Sequence, residues 1–393
     1  MKGKAFIQAA LTVALLLLLP ARSGAQEVYA GGGANFMTST PAITSLVLEP
    51  RIFASFDAGI SWKTTGCELA RMCRSPRLGI GLSYAALGQC GFVPGSRAGD
   101  IYTLYGFVKR DLVSLGAFSA GYFGQLGAAL MTYPYHKTDN PGNLMYGGPF
   151  TFHAKGGFYA RAQVSKAWSL GLEVGFRHNS ASRLFIPNRG VNAVYAGMEA
   201  GCSIGQATLS PWKGRDLDES QKVNSRFRFS VFAGGGIHKC MAEFYAARPL
   251  PVELQPDSYT PWFKGSAGLE AAWRYCRRTS TALQLELHYL GNIEALKQAD
   301  LALYGKMAEE YSPLSPGAGF MQELYFGQFS LGLGMGVYFY RQVGLKEYHG
   351  PLYQKVAFRF YPPALKSVYL GASLRAHTFD QADYLEFSLG WII

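Results

Sequence analysis

The chain has 393 residues, of which 49% are hydrophobic, 14% aromatic and only 16% charged, and its formal net charge is +11. An average globular protein is ~25% charged, so a disordered chain is excluded, and the 47 glycines argue against a helical bundle. No stretch after the first 25 residues is continuously apolar for the ~18 residues that a membrane-spanning helix needs. The composition therefore predicts an all-β protein, either soluble or embedded in a membrane.

The N-terminus has the three parts of a secretory signal peptide. Lys2 and Lys4 precede an apolar run at residues 5–19, and the small residues Ser23, Gly24 and Ala25 follow. We expect a signal peptide at residues 1–25, with cleavage after Ala25; a membrane anchor is the alternative, for which the run is short. Cleavage also removes Arg22 and lowers the net charge to +8. A basic exported protein suits an anionic partner such as phosphorylated lipid, rather than nucleic acid.

The cysteine content fits an exported protein. Six cysteines remain after the predicted cleavage, and an even number allows disulfides outside the cytoplasm. Cys67 and Cys73 are close enough in sequence to close a small loop. No Cys/His spacing is typical of zinc, so we predict no metal and no cofactor.

Strict alternation of apolar and polar residues is the dominant pattern along the chain. Between residues 150 and 164 the apolar or small residues occupy every even position: Phe150, Phe152, Ala154, Gly156, Phe158, Ala160, Ala162 and Val164. Period two over fifteen residues predicts a strand longer than the usual ~5–6 residues. The same alternation recurs at residues 283–289, 329–339, 356–360 and 387–393.

Sixteen such segments can be counted. They are residues 28–37, 46–62, 76–87, 99–109, 115–130, 147–164, 166–180, 191–205, 226–238, 261–276, 280–290, 319–327, 328–341, 351–361, 367–378 and 383–393. The first is interrupted by Gly31, Gly32 and Gly33, so fourteen strands is an alternative. Long alternating strands in an even number predict an antiparallel transmembrane β-barrel of the outer-membrane type, with about 14–16 strands. A soluble sandwich also alternates, but it needs a second sheet and shorter strands.

The connections alternate between short and long. Short periplasmic turns and long extracellular loops account for this, and they place both termini in the periplasm. The polar stretch 206–225 divides the chain in two, but no separate domain is indicated. We therefore predict one barrel over residues 26–393, with an N-terminal half at 26–210 and a C-terminal half at 226–393.

Two polar residues interrupt the apolar face of one strand. The apolar face that begins at Trp168 continues to His178 and Ser180, two positions apart and ~7 Å between Cα atoms. If Asn192 on the next strand lies opposite His178, the two side chains are cross-strand neighbours. Serine, histidine and asparagine can act as nucleophile, base and orienting group in acyl transfer. The alternative is a set of interfacial polar residues at the barrel rim.

Residues 176–192 resemble the signature of the PagL-type lipid A deacylases, also called acyloxyacyl hydrolases. That pattern is His-x-Ser-Asn, then Pro-Asn-x-Gly, then an acidic or amide residue two positions later. The matching residues here are His178, Ser180, Pro187, Asn188, Gly190 and Asn192. Residues 76–81, 99–107 and 140–143 are similar to further family segments, and the C-terminal half resembles that of the long Bacteroidetes branch.

The resemblance implies an outer-membrane enzyme that removes an ester-linked acyl chain from lipid A. Ser180 would be the nucleophile and His178 the general base. Two residues depart from the family pattern: Asn192 stands where well-known members have Glu, and Ala181 where an Asn usually follows the serine. An amide orients an imidazole but does not stabilise its cation by charge. A catalytically inactive member is therefore an open alternative.

Other polar residues have candidate roles. Arg183 and Arg189, in the loop, can bind lipid A phosphates, and Asn188 is a further candidate substrate-binding residue. Arg375 and Glu386 fall on inward faces of adjacent strands, where we expect a lumen ion pair. Two classes of function remain: a lipid A ester hydrolase in the bacterial outer membrane, with lipopolysaccharide and outer-membrane lipid as its partners, and a non-enzymatic pore or scaffold. The oligomeric state stays open.

Overall fold

A computed structural model describes residues 27–38, 47–48, 51–65, 70, 73–205, 208–209, 227–377 and 381–393. The predicted signal peptide, Cys67 and most of the 206–226 connection lie outside the described residues. The chain divides into two compact units. The first comprises Met1–Ala181 and Asn188–Asp216, and the second comprises Ser182–Pro187 and Leu217–Ile393.

The first unit is an antiparallel sheet closed on itself. Its strands are β1 (Glu27–Met37), β2 (Ile52–Thr64), β3 (Arg77–Ala85), β4 (Ile101–Leu115), β5 (Phe118–Met131), β6 (Phe150–Gln163), β7 (Trp168–Ser180) and β8 (Val191–Ser203). Each strand pairs with its neighbours in sequence, and β1 pairs with both β2 and β8, which closes the barrel. Two short additions are the pair Val47–Leu48 with Gly91–Phe92, and Thr208–Leu209, which runs parallel to β2.

The second unit repeats this architecture. Its strands are β9 (Phe227–Lys239), β10 (Pro261–Cys276), β11 (Thr279–Leu290), β12 (Leu314–Phe326), β13 (Phe329–Tyr338), β14 (Leu352–Phe360), β15 (Val368–His377) and β16 (Gln381–Ile392). The eight strands form a closed barrel in which β9 pairs with β16. Two helices, α1 (Met241–Ala247) and α2 (Ile293–Tyr304), lie in the β9–β10 and β11–β12 connections and pack around Cys240 and Leu296. Short 3₁₀ turns occur at Leu87–Gln89 and Val252–Leu254.

All sixteen predicted strands are present, but they close into two barrels of eight rather than the single barrel that the sequence predicted. Strand β1, which contains Gly31, Gly32 and Gly33, closes the first barrel by pairing with β8 as well as β2. A Cβ on Gly33 would lie 2.2 Å from the carbonyl oxygen of Ala196, so only glycine lets β1 approach β8 this closely. Alternation along a strand is a local pattern and does not specify which distant strand closes the sheet.

Paired charges fill the inside of both barrels. In the first, Lys109 contacts Glu173 at 2.8 Å and Glu199 at 2.6 Å. In the second, Arg359 contacts Glu270 at 2.6 Å and Glu323 at 3.2 Å. An eight-stranded barrel has an interior just wide enough for side chains, and these pairs occupy it.

The predicted pair of Arg375 and Glu386 is confirmed inside the second barrel, with 3.9 Å between Nη2 and Oε2.

The outer faces are apolar, as a bilayer requires. On β7, Leu170, Leu172 and Val174 are all at least half exposed. Similar rows of exposed large apolar side chains run along most strands of the second unit. Among the residues that the structure describes, no helix is long and apolar enough to cross a membrane.

Candidate active site

The candidate site lies where the apolar outer face of β7 ends. Val174 and Phe176 point outward and are exposed, and His178 and Ser180 continue this face in half-buried positions. Strand β8 runs antiparallel beside β7, with Asn192 directly opposite His178. The predicted contact between His178 and Asn192 depended on this register.

A short hydrogen bond joins His178 and Asn192. The Nδ1 atom of His178 lies 2.6 Å from Oδ1 of Asn192. An amide oxygen only accepts hydrogen bonds, so Nδ1 carries the proton in this arrangement. The lone pair on Nε2 is then free to accept a proton from a neighbouring group.

The nucleophile candidate is held by a different amide. The Nδ2 atom of Asn188 donates to Oγ of Ser180 at 3.0 Å, while its Oδ1 accepts the backbone N–H of Ala181 at 2.9 Å. Asn188 thus spans the side chain of Ser180 and the backbone of the next residue. The sequence suggested Asn188 for substrate binding; its contact with Ser180 was not predicted.

Backbone contacts to another connection fix the position of Asn188. The N–H groups of Arg189 and Gly190 donate to the carbonyl oxygens of Leu144 and Met145, at 3.2 and 3.1 Å. Leu144 and Met145 are buried. Gly190 has φ +68°, and a Cβ there would lie 2.7 Å from the carbonyl oxygen of Asn179. The glycine of the motif is therefore required by backbone geometry.

The two candidate phosphate-binding arginines differ in environment. Arg183 belongs to the second unit, where it is buried and donates to Glu347 at 2.6 Å. Burial alone would raise the pKa of Glu347, but the nearby Arg183 and Lys264 cations lower it to about 2. The guanidinium of Arg183 is thus already engaged by a carboxylate, while Arg189 is half-buried in the loop of the first unit. Phosphate binding by either residue stays a prediction.

A feature that the sequence did not suggest is a groove on the outer wall of the first barrel. It has a volume of about 730 Å³ and begins at His178 and Phe176. Glycines on three successive strands, Gly106, Gly124 and Gly156, line it. All three glycines lie on the outward face of their strands. The sequence signal that could have predicted the groove is the position of these glycines among large apolar residues of the same strand face.

Metal-ligand geometry is lacking in the part of the chain that the structure describes. No group of three or more His, Cys, Asp or Glu side chains there is arranged to hold a metal ion.

The fold and the site define the class of protein: a β-barrel of the outer-membrane type, with a small polar cluster on its apolar wall. Comparison with protein-family models narrows this further. Residues 55–199 match the model described as Lipid A 3-O-deacylase (PagL), and residues 226–393 match the model described as Acyloxyacyl hydrolase, C-terminal domain. Together the matches cover nearly the whole chain, so it belongs to the PagL and acyloxyacyl hydrolase family. This membership supports a lipid A deacylase-like function.

Other comparisons add little. A search of curated proteins finds no match to this chain. Among solved structures, a triple mutant of Rhodopseudomonas blastica porin is 7% identical, covering 93% of this chain and 99% of the porin, with a TM-score of 0.17. A second engineered variant of the same porin has the same coverage and TM-score at 6% identity. At that TM-score the porin comparison carries no argument.

Proposed function

We propose that this protein hydrolyses an ester bond between lipid A and one of its acyl chains, at a site on the lipid-facing wall of the first barrel. The observation that carries the proposal is the 2.6 Å hydrogen bond between His178 and Asn192, next to Ser180 on the same outward face. Polar side chains are costly where a wall meets hydrocarbon, so a pre-oriented imidazole beside a hydroxyl there favours a chemical role. The family match favours lipid A as the substrate.

Each residue has a defined task in this mechanism. Nε2 of His178 accepts the proton of Ser180 as Oγ attacks the ester carbonyl and the carbonyl π electrons move to its oxygen. The tetrahedral intermediate then collapses: the bond to the sugar oxygen breaks, and the imidazolium gives that oxygen its proton. A water molecule, deprotonated by His178, next attacks the acyl-serine, which releases the fatty acid and returns the proton to Oγ.

The oxyanion of that intermediate needs donors beside Ser180. The backbone N–H of Ala181 already donates to Oδ1 of Asn188, so it is not the best placed donor for the oxyanion. The Nδ2 group of Asn188 lies 3.0 Å from Oγ of Ser180. In the tetrahedral intermediate Oγ and the oxyanion are bonded to the same carbon, so Nδ2 is also within reach of the oxyanion. We assign Asn188 this role, in place of the asparagine that the family usually has at position 181.

Asn192 predicts a slower enzyme than one with a carboxylate at this position. Its oxygen fixes the ring and the tautomer but supplies no negative charge to the imidazolium. A catalytically inactive member and a non-enzymatic scaffold are the competing functions. A pore is disfavoured by the paired charges that fill the described lumens.

We also propose that the protein resides in the bacterial outer membrane, after export by the signal peptide predicted at residues 1–25. The family and the barrel fold support this location. On the outer wall, the site would meet the acyl chains of outer-leaflet lipid A directly.

The test compares lipid A extracted from outer membranes that contain wild-type protein or Ser180→Ala. We expect mass spectra in which the wild type removes one acyl chain and Ser180→Ala removes none. Ser203→Ala is a matched control, because Ser203 is exposed at the opposite end of β8 and should leave activity unchanged. An identical acyl count with wild type, Ser180→Ala and no protein would refute the hydrolase.

A further inference from the structure

The connection between β5 and β6, residues 132–149, supports the loop that carries Asn188. Its Met145 carbonyl oxygen accepts the N–H of Gly190 at 3.1 Å, two residues after Asn188. None of its residues, all of which the structure describes, belongs to a helix or to one of the barrel strands. Side-chain contacts must therefore hold this connection in place, because no strand ladder does so.

Asn143 is the buried side chain that anchors Met145. It is 0% exposed, and both ends of its amide contact the backbone. Its Nδ2 donates to the carbonyl oxygens of Tyr133 at 2.7 Å and Arg97 at 3.1 Å, and its Oδ1 accepts the N–H of Met145 at 3.1 Å. One amide thus ties the middle of the connection to its start and to the separate connection at residues 86–100, which contains Arg97.

A second amide shares this anchor but does not contact Met145. Asn140 accepts the N–H of Arg97 on Oδ1 at 2.8 Å, and its Nδ2 donates to the carbonyl oxygen of Tyr133 at 2.9 Å. Arg97 and Tyr133 are thus held by both asparagines, whereas the contact with Met145 belongs to Asn143. Asn143 is therefore the link between this hydrogen-bonded pair of connections and the peptide beneath the candidate site.

A path of three hydrogen bonds leads from Asn143 to the candidate nucleophile. The first joins Oδ1 of Asn143 to the N–H of Met145, and the second joins the carbonyl oxygen of Met145 to the N–H of Gly190. The third joins Nδ2 of Asn188, in the same loop as Gly190, to Oγ of Ser180. The position of Asn188 therefore depends on Met145. The position of Met145 in turn depends on Asn143.

We propose that Asn143 is a positioning residue for the ester hydrolysis, and that it holds Asn188 and Ser180 in their reactive arrangement. This inference rests on the proposed function, because it concerns the tasks assigned to those two residues. Asn143 bonds to backbone groups rather than to the reacting atoms, so it acts through Met145. Such orientation matters, because a misplacement of ~1 Å at a reactive group lowers rates by ~10²-fold. A purely structural asparagine would instead affect only the stability of the fold.

Asn143→Ala removes all three side-chain contacts. We expect kcat on p-nitrophenyl butyrate to fall by about tenfold to a hundredfold, with KM changed by less than about twofold, since a contact that orients reacting groups affects kcat. Thr64→Val is the matched control. Thr64 is buried at the end of β2 away from the candidate site, where its Oγ1 donates to the carbonyl oxygen of Pro76 at 2.8 Å. Loss of that buried hydrogen bond should leave kcat as in wild type.

A double-mutant cycle with Asn188→Asp separates positioning from a general loss of structure. Because Asn143 acts through Asn188 in the proposed path, Asn143→Ala should lower kcat by less than about threefold in the Asn188→Asp background. General damage to the barrel would lower kcat by the same factor in both backgrounds. Equal factors would therefore refute the path from Asn143 to Asn188, as would a kcat for Asn143→Ala equal to that of wild type.

Hydrogen exchange tests the path without catalysis. Full-length wild type and Asn143→Ala in detergent micelles are compared by mass spectrometry of peptides that span residues 184–193. We expect the N–H groups of Arg189 and Gly190 to exchange about tenfold faster or more in Asn143→Ala, with the paired residues of β7 and β8 unchanged. Faster exchange, with a wild type inactive on lipid A and on p-nitrophenyl butyrate, would refute the hydrolase and still show that Asn143 positions this loop. Unchanged exchange at both N–H groups would overturn the inference.

Discussion

His178 on β7 and Asn192 on β8 meet across the strand pair, with Nδ1 of the imidazole 2.6 Å from the amide oxygen. The register of two antiparallel strands, rather than a loop, brings them together. Strand pairing holds a side-chain pair rigidly, because both backbones are fixed by ladder hydrogen bonds. The imidazole is therefore oriented without a negative charge beside it.

The first prediction concerns the absence of a negative charge beside the imidazole of His178. Replacing the amide by a carboxylate of the same shape, in Asn192→Asp, should raise kcat for lipid A deacylation several-fold, because the carboxylate stabilises the imidazolium that forms in the transition state. Initial rates of lipid A deacylation by wild type and Asn192→Asp measure this change.

Asn192→Ala tests the same contact in the other direction. It should lower kcat by about tenfold or more, because a general base that is no longer oriented loses much of its ~10²–10⁴-fold contribution. Unchanged kcat in both variants would show that Asn192 does not position His178.

The second prediction concerns Asn188. The Asn188→Asp substitution keeps an oxygen for the N–H of Ala181 and removes the donor that faces Ser180. We expect kcat to fall by ~10²–10³-fold with little change in KM, as for loss of one oxyanion donor. Steady-state kinetics on p-nitrophenyl butyrate measure this directly, and an unchanged thermal unfolding midpoint controls for misfolding. A rise in KM alone would instead indicate the substrate-binding role that the sequence suggested.

The third prediction concerns acid sensitivity of the second unit. The pKa of Glu347 is about 2, against an ordinary 4.5, so its ionised form stabilises the fold above pH 4.5, and this stabilisation is lost as the pH falls towards 2. Glu347→Gln should remove about 3 kcal/mol of this pH-dependent stability. The measurement is the unfolding free energy of the full chain in detergent micelles, by urea titration from pH 7 to pH 3.

Two comparisons separate the contribution of Glu347 from that of other titratable groups. Burial lowers the pKa of His349 to about 4 from 6.5, so its contribution is lost between pH 6.5 and 4, a higher window than that of Glu347. Glu253→Gln, in the exposed Val252–Leu254 turn, should leave the whole profile as in wild type. A Glu347→Gln profile parallel to that of wild type below pH 4.5 would contradict the role of the Arg183–Glu347 pair.

The fourth prediction concerns conductance. Inside the second barrel Arg359 forms buried ion pairs with Glu270 and Glu323, and inside the first Lys109 pairs with Glu173 and Glu199. Side chains that form ion pairs across a narrow lumen leave little room for a column of water. Purified protein in planar bilayers should therefore show no stepwise channel openings at a holding potential of about 100 mV. Regular openings of uniform size would favour the pore over the enzyme.

The sequence by itself determined the local features. Period-two alternation located all sixteen strands, because a strand with one lipid-facing side must place apolar residues at every second position. The same rule placed His178, Ser180 and Asn192 on the outer face, but it left open whether Asn192 lies opposite His178. These inferences hold because side-chain direction along a strand depends only on residue parity.

The tertiary structure decided whatever depends on which distant segments meet. Closure into two barrels follows from β1 pairing with both β2 and β8, a choice that alternation leaves open. The contact of Asn188 with Ser180 depends on a loop anchored to Leu144 and Met145, and the pairing of Arg183 depends on Glu347, 164 residues further along the chain. The groove arises only where outward glycines on three neighbouring strands lie near one another: Gly124 faces Gly156, and Gly106 is two residues from Val108, which faces Gly124. Parity specifies where each side chain points, but only the folded chain brings these side chains together.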